Sequence, residues 1–152
     1  MKVYLAGAIT GLSYDQATIW RYNAAYQLNS NDIETLDPMR GKYELRGELK
    51  IKNSYSGIDN CNPVEILMHD IADINECSTL LVNMEGITGI GTPFELGYAY
   101  CQGKTSVLFN VPERLKGHPF IYGNDLVTAV EDLDEAINKV FYLFWHGGLL
   151  YN

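Results

Sequence analysis

The run "STLLVNM" at residues 78–84 is apolar almost without interruption and has the length of a strand. A strand without polar alternation is covered on both faces, and sheets covered on both faces are mostly parallel, with crossover helices above and below. "KVYLAGAI" and "TSVLFNV" have the same character, and "IETLDP" reads as a shorter strand stopped by Pro38. Between these runs the period changes. Ala17, Trp20, Ala24 and Leu28 recur at helical spacing over residues 14–28, and Ile66, Leu67, Asp70, Ile71 and Ile74 mark a second helix from about Pro63. A third helix starts near Thr92, and a last one is predicted over residues 126–144. Strands alternating with helices specify an α/β fold, a doubly wound parallel sheet with helices on both faces.

The length of 152 residues suits one domain over 1–152, and 47% hydrophobic residues supply a core. No apolar stretch is long enough to span a membrane, and the N-terminal run reads as a strand rather than a signal peptide. Cys61, Cys77 and Cys101 are odd in number and lack CxxC spacing, which fits a reducing cytoplasm better than a disulfide framework. A net charge of −8 opposes binding to nucleic-acid polymers or acidic membranes. Against that balance, Arg40, Lys42, Arg46, Lys50 and Lys52 crowd one stretch, either a solvated loop or a receiver for a substrate phosphate. They lie in residues 39–62, a polar, poorly periodic segment whose length suggests a functional lid.

In a doubly wound sheet, ligands bind beyond the carboxyl ends of the strands, where strand order reverses. That rule gathers Ala6 to Gly11, Asn83 to Gly91 and the helix start around Thr92 into one crevice. Glu95 is the first chemical candidate there. Thr92, Pro93 and Glu95 fit an N-cap, a first-turn proline and a capping-box acid, so Glu95 could serve its own helix. Alternatively it projects into the crevice, kept anionic by the helix dipole, and attacks a sugar's anomeric carbon. Gly86, Gly89 and Gly91 permit either a close approach to ligand or a tight turn. Asp70 and Asp73 are neighbours on a regular helix, as site residues or as polar surface. Tyr4 is either core or a hydroxyl seeking a carboxylate partner at the strand ends. His69, His118 and His146 lack metal-site spacing, and no metal or cofactor is expected. "GITGIG" is not a dinucleotide fingerprint, and neither a P-loop nor a GxSxG elbow occurs. Near the C-terminus, "VFYLFWHGGLLYN" is apolar enough to suggest core packing or a subunit contact.

"VYLAGAITG", "HDIADINECSTLLVNM" and "GTPFELGYAYCQGK", in this order and spacing, resemble the nucleoside 2-deoxyribosyltransferase family, whose superfamily includes 2'-deoxynucleoside 5'-monophosphate N-glycosidases. The resemblance covers roughly residues 2 to 110 and implies a flavodoxin-like sheet in a homo-oligomer whose subunits complete each other's active sites. It implies that Glu95 is the nucleophile, that Tyr4 orients it, and that Asp70 holds or protonates the base. Gly7 would line the sugar site beside Ala8, with Asn83, Gly89, Gly91 and Thr92 also near substrate. Asn124 is a candidate contribution from a neighbouring subunit. Gly89 stands where many transferases carry an aspartate and the monophosphate hydrolases a serine. Ala8 and Thr10 stand where those hydrolases have phosphate-binding serine and arginine.

The implied reaction moves 2-deoxyribose between nucleobases of 2'-deoxynucleosides by double displacement through a glutamyl-deoxyribosyl intermediate. Its partners would be deoxynucleosides and free nucleobases. The alternatives are hydrolysis of deoxynucleoside 5'-monophosphates and non-catalytic binding of a nucleoside or nucleotide.

Overall fold

The computed structural model describes residues 1–147. Strand β1 (Lys2–Gly7) leads into helix α1 (Tyr14–Asn29) and strand β2 (Glu34–Leu36). A long segment carrying a 3₁₀ turn at Tyr43–Gly47 follows, then α2 (Pro63–Glu76), β3 (Thr79–Asn83), α3 (Gly91–Cys101) and β4 (Thr105–Phe109). The chain continues through the short α4 (Pro119–Tyr122), β5 (Val127–Ala129) and α5 (Leu133–His146). All strand pairs are parallel and the order is β2-β1-β3-β4-β5, the flavodoxin-like arrangement with its switch point between β1 and β3. Among the described residues, no helix is long and apolar enough to cross a membrane.

Alternation along the strands divides the core. Val3, Leu5, Leu81, Val107 and Phe109 face α1 and α5, meeting Ala24, Leu28, Ala136, Ile137 and Val140. Tyr4, Ala6, Leu80, Val82 and Leu108 face the other way, against Ile74 of α2 and Ala99 of α3. A side-chain period of two therefore decides that Tyr4 points to the face bearing α2 and α3.

Two sequence expectations need correction here. The last helix starts at Leu133, because residues 127–129 form an edge strand paired with β4. Asp132 then caps α5 by accepting a hydrogen bond from the Glu135 amide at 2.9 Å. Asp132→Ala is expected to cost about 1 kcal/mol of stability without altering activity, a difference that chemical denaturation would read. The other correction concerns residues 39–62, which are more than a solvated loop. Met39, Leu45, Ile51 and Cys61 are buried and form a third apolar cluster with Ala17 of α1. Backbone bonds between Gly11 and Ile51, and between Ile51 and Leu12, stitch the segment to the loop after β1. In the C-terminal apolar run, Phe141 and Phe144 pack against the core while Trp145 is exposed. Residues 148–152 of that run lie outside the described residues.

Candidate active site

A crevice of about 180 Å³ opens beyond the ends of β1 and β3, floored by the loop after β1 and roofed by the Met39–Cys61 segment. Gly7, Ala8, Asp70, Gly89, Gly91, Thr92 and Glu95 all line it. Asn83 does not. It is buried at the end of β3, where its Oδ1 accepts hydrogen bonds from the Glu85 amide at 3.0 Å and the Asn110 side chain at 3.2 Å, bracing the turn. Asn124 lies outside this crevice, donating to the Phe120 carbonyl and accepting from the Leu126 amide within its own loop.

The three glycines after β3 separate on inspection. Gly86 has φ +68, the left-handed conformation that a turn demands of glycine. Gly89 and Gly91 have no such φ, and a Cβ at either would meet nothing within 4 Å. Their lack of a side chain leaves open space at the crevice wall. Gly7 is tight instead, since a Cβ there would come within 3.1 Å of the Asn83 carbonyl and the Trp20 ring.

Helix α3 begins at Gly91 with Ile90 at the cap position, so Thr92 is inside the first turn and not the N-cap. This earlier start moves Glu95 beyond the capping-box position. Its carboxylate accepts a hydrogen bond from the Tyr4 hydroxyl at 2.8 Å across the crevice floor. Tyr4 is fully buried, which fixes that hydroxyl in place. The expectation of a dipole-stabilised anion also needs correction. The residue keeps some exposure, but its carboxyl end lies deep among protein atoms, and burial pushes its pKa up from 4.5 to about 7. The Tyr4 hydrogen bond opposes the rise, the charge of Asp70 adds to it, and Arg21 counters it weakly.

Asp70, on α2, faces the same space and is also pushed up, chiefly by burial, with Lys42 and Tyr4 pulling the other way. Two carboxyl groups thus share a partly desolvated crevice and raise the cost of charging both. Asp73, one helical turn on, is buried in a bidentate pair with Arg40, whose Nη2 lies 2.7 Å from Oδ1. The same Nη2 donates to His69 Nδ1 at 3.0 Å. Arg40, Asp73 and His69 therefore satisfy one another, leaving Asp70 as the crevice-facing acid of this helix. Among the described residues, no group of three or more His, Cys, Asp or Glu side chains converges as a metal site would.

Two further residues matter here: Arg21, which sequence reading left out, and Lys42, which it grouped in a basic stretch read as either a solvated loop or a phosphate receiver. Arg21 is wholly buried, donating from Nε to the Leu5 carbonyl at 3.2 Å and from Nη2 to the Gly7 carbonyl at 2.9 Å, with a further bond to the Ala17 carbonyl. Asp37 lies 3.6 Å from its Nε. The available signal was an arginine inside the apolar stripe of Ala17, Ala24 and Leu28. Lys42 is the second. It is 8% exposed and lines the crevice, whereas its basic neighbours Arg46, Lys50 and Lys52 are exposed.

No protein-family model matches this chain, and no curated protein matches it in sequence. Solved structures do share its fold. A CMP N-glycosidase from Clostridium botulinum superposes with a TM-score of 0.61 at 16% identity, over 93% of this chain and 99% of that one. A 2-deoxyribosyltransferase from Leishmania mexicana gives 0.60 at 16% identity, over 95% and 97% of the two chains. A 2-deoxyribosyltransferase from Bacillus psychrosaccharolyticus gives 0.57 at 18% identity, over 91% of each.

Proposed function

We propose that this chain is an enzyme of N-glycosidic bonds in the nucleoside 2-deoxyribosyltransferase family, moving 2-deoxyribose between nucleobases. The observation that carries this reading is the Glu95 carboxylate, held outward into a crevice by the hydroxyl of Tyr4 rather than folded onto its own helix. A buried carboxylate with one fixed hydrogen bond keeps a free oxygen for attack on C1'. As the bond from C1' to the base breaks, a Glu95 oxygen bonds to C1' and the electron pair leaves with the base. A second base, losing its N–H proton to a group such as Asp70, then attacks the ester on the opposite side from Glu95. Two inversions return the original configuration. The absent 2'-hydroxyl makes the oxocarbenium-like transition state easier to reach. The apolar roof of Met39, Leu45, Ile51 and Cys61 favours transfer over hydrolysis by keeping water from the ester.

Charge at the site favours uncharged nucleosides over 5'-monophosphates. Asp70 and Glu95 both present carboxyl groups, Arg40 is committed to Asp73, and Lys42 is the single cationic side chain among the described lining residues. We further assign the active form to a homo-oligomer. Exposed Leu67 of α2 and Phe94 of α3 line a groove that shares Asp70 and Glu95 with the crevice, and Val64 and Met68 are exposed on the same α2, a place where a second subunit would cover apolar surface and close the site. Sedimentation analysis reads this directly, and a monomer that is fully active would remove it.

The reaction is tested by incubating the protein with deoxythymidine, deoxyuridine or their monophosphates plus free adenine, and with deoxyadenosine or its monophosphate plus free thymine, then separating products. New deoxynucleosides or deoxynucleotides mean transfer, and free deoxyribose or its 5-phosphate means hydrolysis. Intact substrate means binding without turnover and ends the proposal. Tyr4→Phe is expected to lower kcat/KM at pH 7 by about tenfold or more. Its hydroxyl lowers the Glu95 pKa, so its loss should also move the acidic limb of the pH–rate profile upward.

A further inference from the structure

Lys42 sits in an unusual place for a lysine. Its backbone belongs to the apolar segment over the crevice, between Met39 and Leu45, and its side chain is almost entirely withdrawn from solvent. Gly41, with φ +76, turns the chain between Arg40, which runs to Asp73 on α2, and Lys42, which lines the crevice. Two basic residues separated by one glycine thus part company, one to bind the scaffold and one to face ligand. The charge of Lys42 acts on Asp70, whereas Glu95 feels Tyr4, Asp70 and Arg21 instead. With Arg40 tied to Asp73, one helical turn from Asp70, the turn at Gly41 is anchored to α2 and Lys42 enters the crevice from the α2 side.

We infer that Lys42 is a specificity-determining catalytic residue, donating a hydrogen bond to a carbonyl oxygen beside the glycosidic nitrogen of the departing base. This assignment rests on the deoxyribosyl-transfer reading and gives it a preference for 2-oxopyrimidines. When C1'–N1 breaks in such a nucleoside, the electron pair stays on the base and spreads from N1 to O2. An ammonium facing O2 meets that charge as it develops, and a desolvated cation does so more strongly than one in water. The base leaves as an anion paired with Lys42 and takes its proton afterwards from Asp70 or water. Adenine presents its ring nitrogen N3 at the corresponding position; its departing charge spreads over more atoms than N1 and O2 of a pyrimidine, so its departure gains less from this contact.

The test compares wild type with Lys42→Met, which keeps the length and apolar packing of the stem, and with Lys42→Arg, which keeps the charge. Base release from deoxyuridine should fall by about 100-fold in Lys42→Met, the usual cost of one oxyanion donor, and recover in part in Lys42→Arg. Release from deoxyadenosine should fall by no more than about tenfold, the worth of one ordinary hydrogen bond to its N3. The loss should shrink with 5-fluorodeoxyuridine, whose base is the better leaving group, a trend that a merely structural role would not produce. Calorimetric titration with free uracil and free adenine gives a second arm. Lys42→Met should weaken uracil by about tenfold, one lost hydrogen bond, and adenine by less than about threefold. Equal losses on all nucleosides, no loss at all, or a loss confined to monophosphates would each overturn the assignment while leaving the transfer reaction standing. Should wild type turn over nothing yet prefer uracil over adenine through Lys42, the reaction fails and the base contact stands. Lys42→Gln repeats both arms if Lys42→Met does not fold.

Discussion

Glu95→Gln is expected to lower deoxyribosyl transfer by at least about 1000-fold, the scale seen when a nucleophile or its activation is lost, while raising thermal stability at pH 8. The first effect follows because a neutral amide cannot form the ester to C1'. Nucleoside binding should persist, since the amide keeps an oxygen that accepts from Tyr4. The second effect follows from burial. In the folded protein this carboxyl ionises at about 7 instead of 4.5. Between those values the folded state holds a proton that the unfolded chain has released, so this group's contribution to stability falls as pH rises through the window. The full transfer would cost about 3 kcal/mol, and residual solvent access leaves about 2 kcal/mol. At pH 8 the variant should therefore melt about 4–8 °C above wild type, and the gap should close towards pH 4.5. Transfer activity of wild type should rise with pH through about 7, as the attacking anion forms. Near-normal turnover in the variant, or identical melting at both pH values, would remove the buried nucleophile from the account.

Arg21→Met should have the largest effect on the fold. Its guanidinium is the partner of the Leu5, Gly7 and Ala17 carbonyls and lies beside Asp37, all at the end of β1 or against it. Methionine fills much of the volume but leaves those acceptors buried and Asp37 without its cation. Breaking a buried ionic network from one side costs about 3–5 kcal/mol, equivalent to roughly 8–15 °C in melting temperature for a chain of this size. Denaturant titration checks the first figure and calorimetry the second. The remaining folded fraction should also lose activity. Gly7 lines the crevice, and Arg21 is what holds its carbonyl. A loss below about 1 kcal/mol, the size of a surface substitution, would mean that the network carries little energy.

Much of the site was written in local patterns. Tyr4 could be placed on the same side as Leu80 and Val82 because strand side chains alternate, once β1 and β3 were known to lie side by side. Asp70 and Glu95 lie on helices that begin beyond strand ends, and the rule for doubly wound sheets brings such positions to one crevice. The start of α3 was less legible. Thr92 and Pro93 form a good cap signal, yet the helix begins earlier, because Ile90 accepts the first helical bond from Phe94. Strand β5 escaped because three half-buried residues on a sheet edge have too few neighbours to impose a period.

The amino-acid sequence by itself determined the parallel sheet, its alternation with helices, and which acids and tyrosine stand near the strand ends. Apolar period and strand length are properties of neighbours along the chain, so they can be read without coordinates. Only the tertiary structure decided which polar groups are spent and which are free. Arg40 and Lys42 are almost adjacent in sequence, but one is consumed by Asp73 and the other faces the crevice. It also decided that Glu95 is a reluctant anion. Desolvation depends on every atom that closes around a carboxyl group, and those atoms come from segments far apart in the chain.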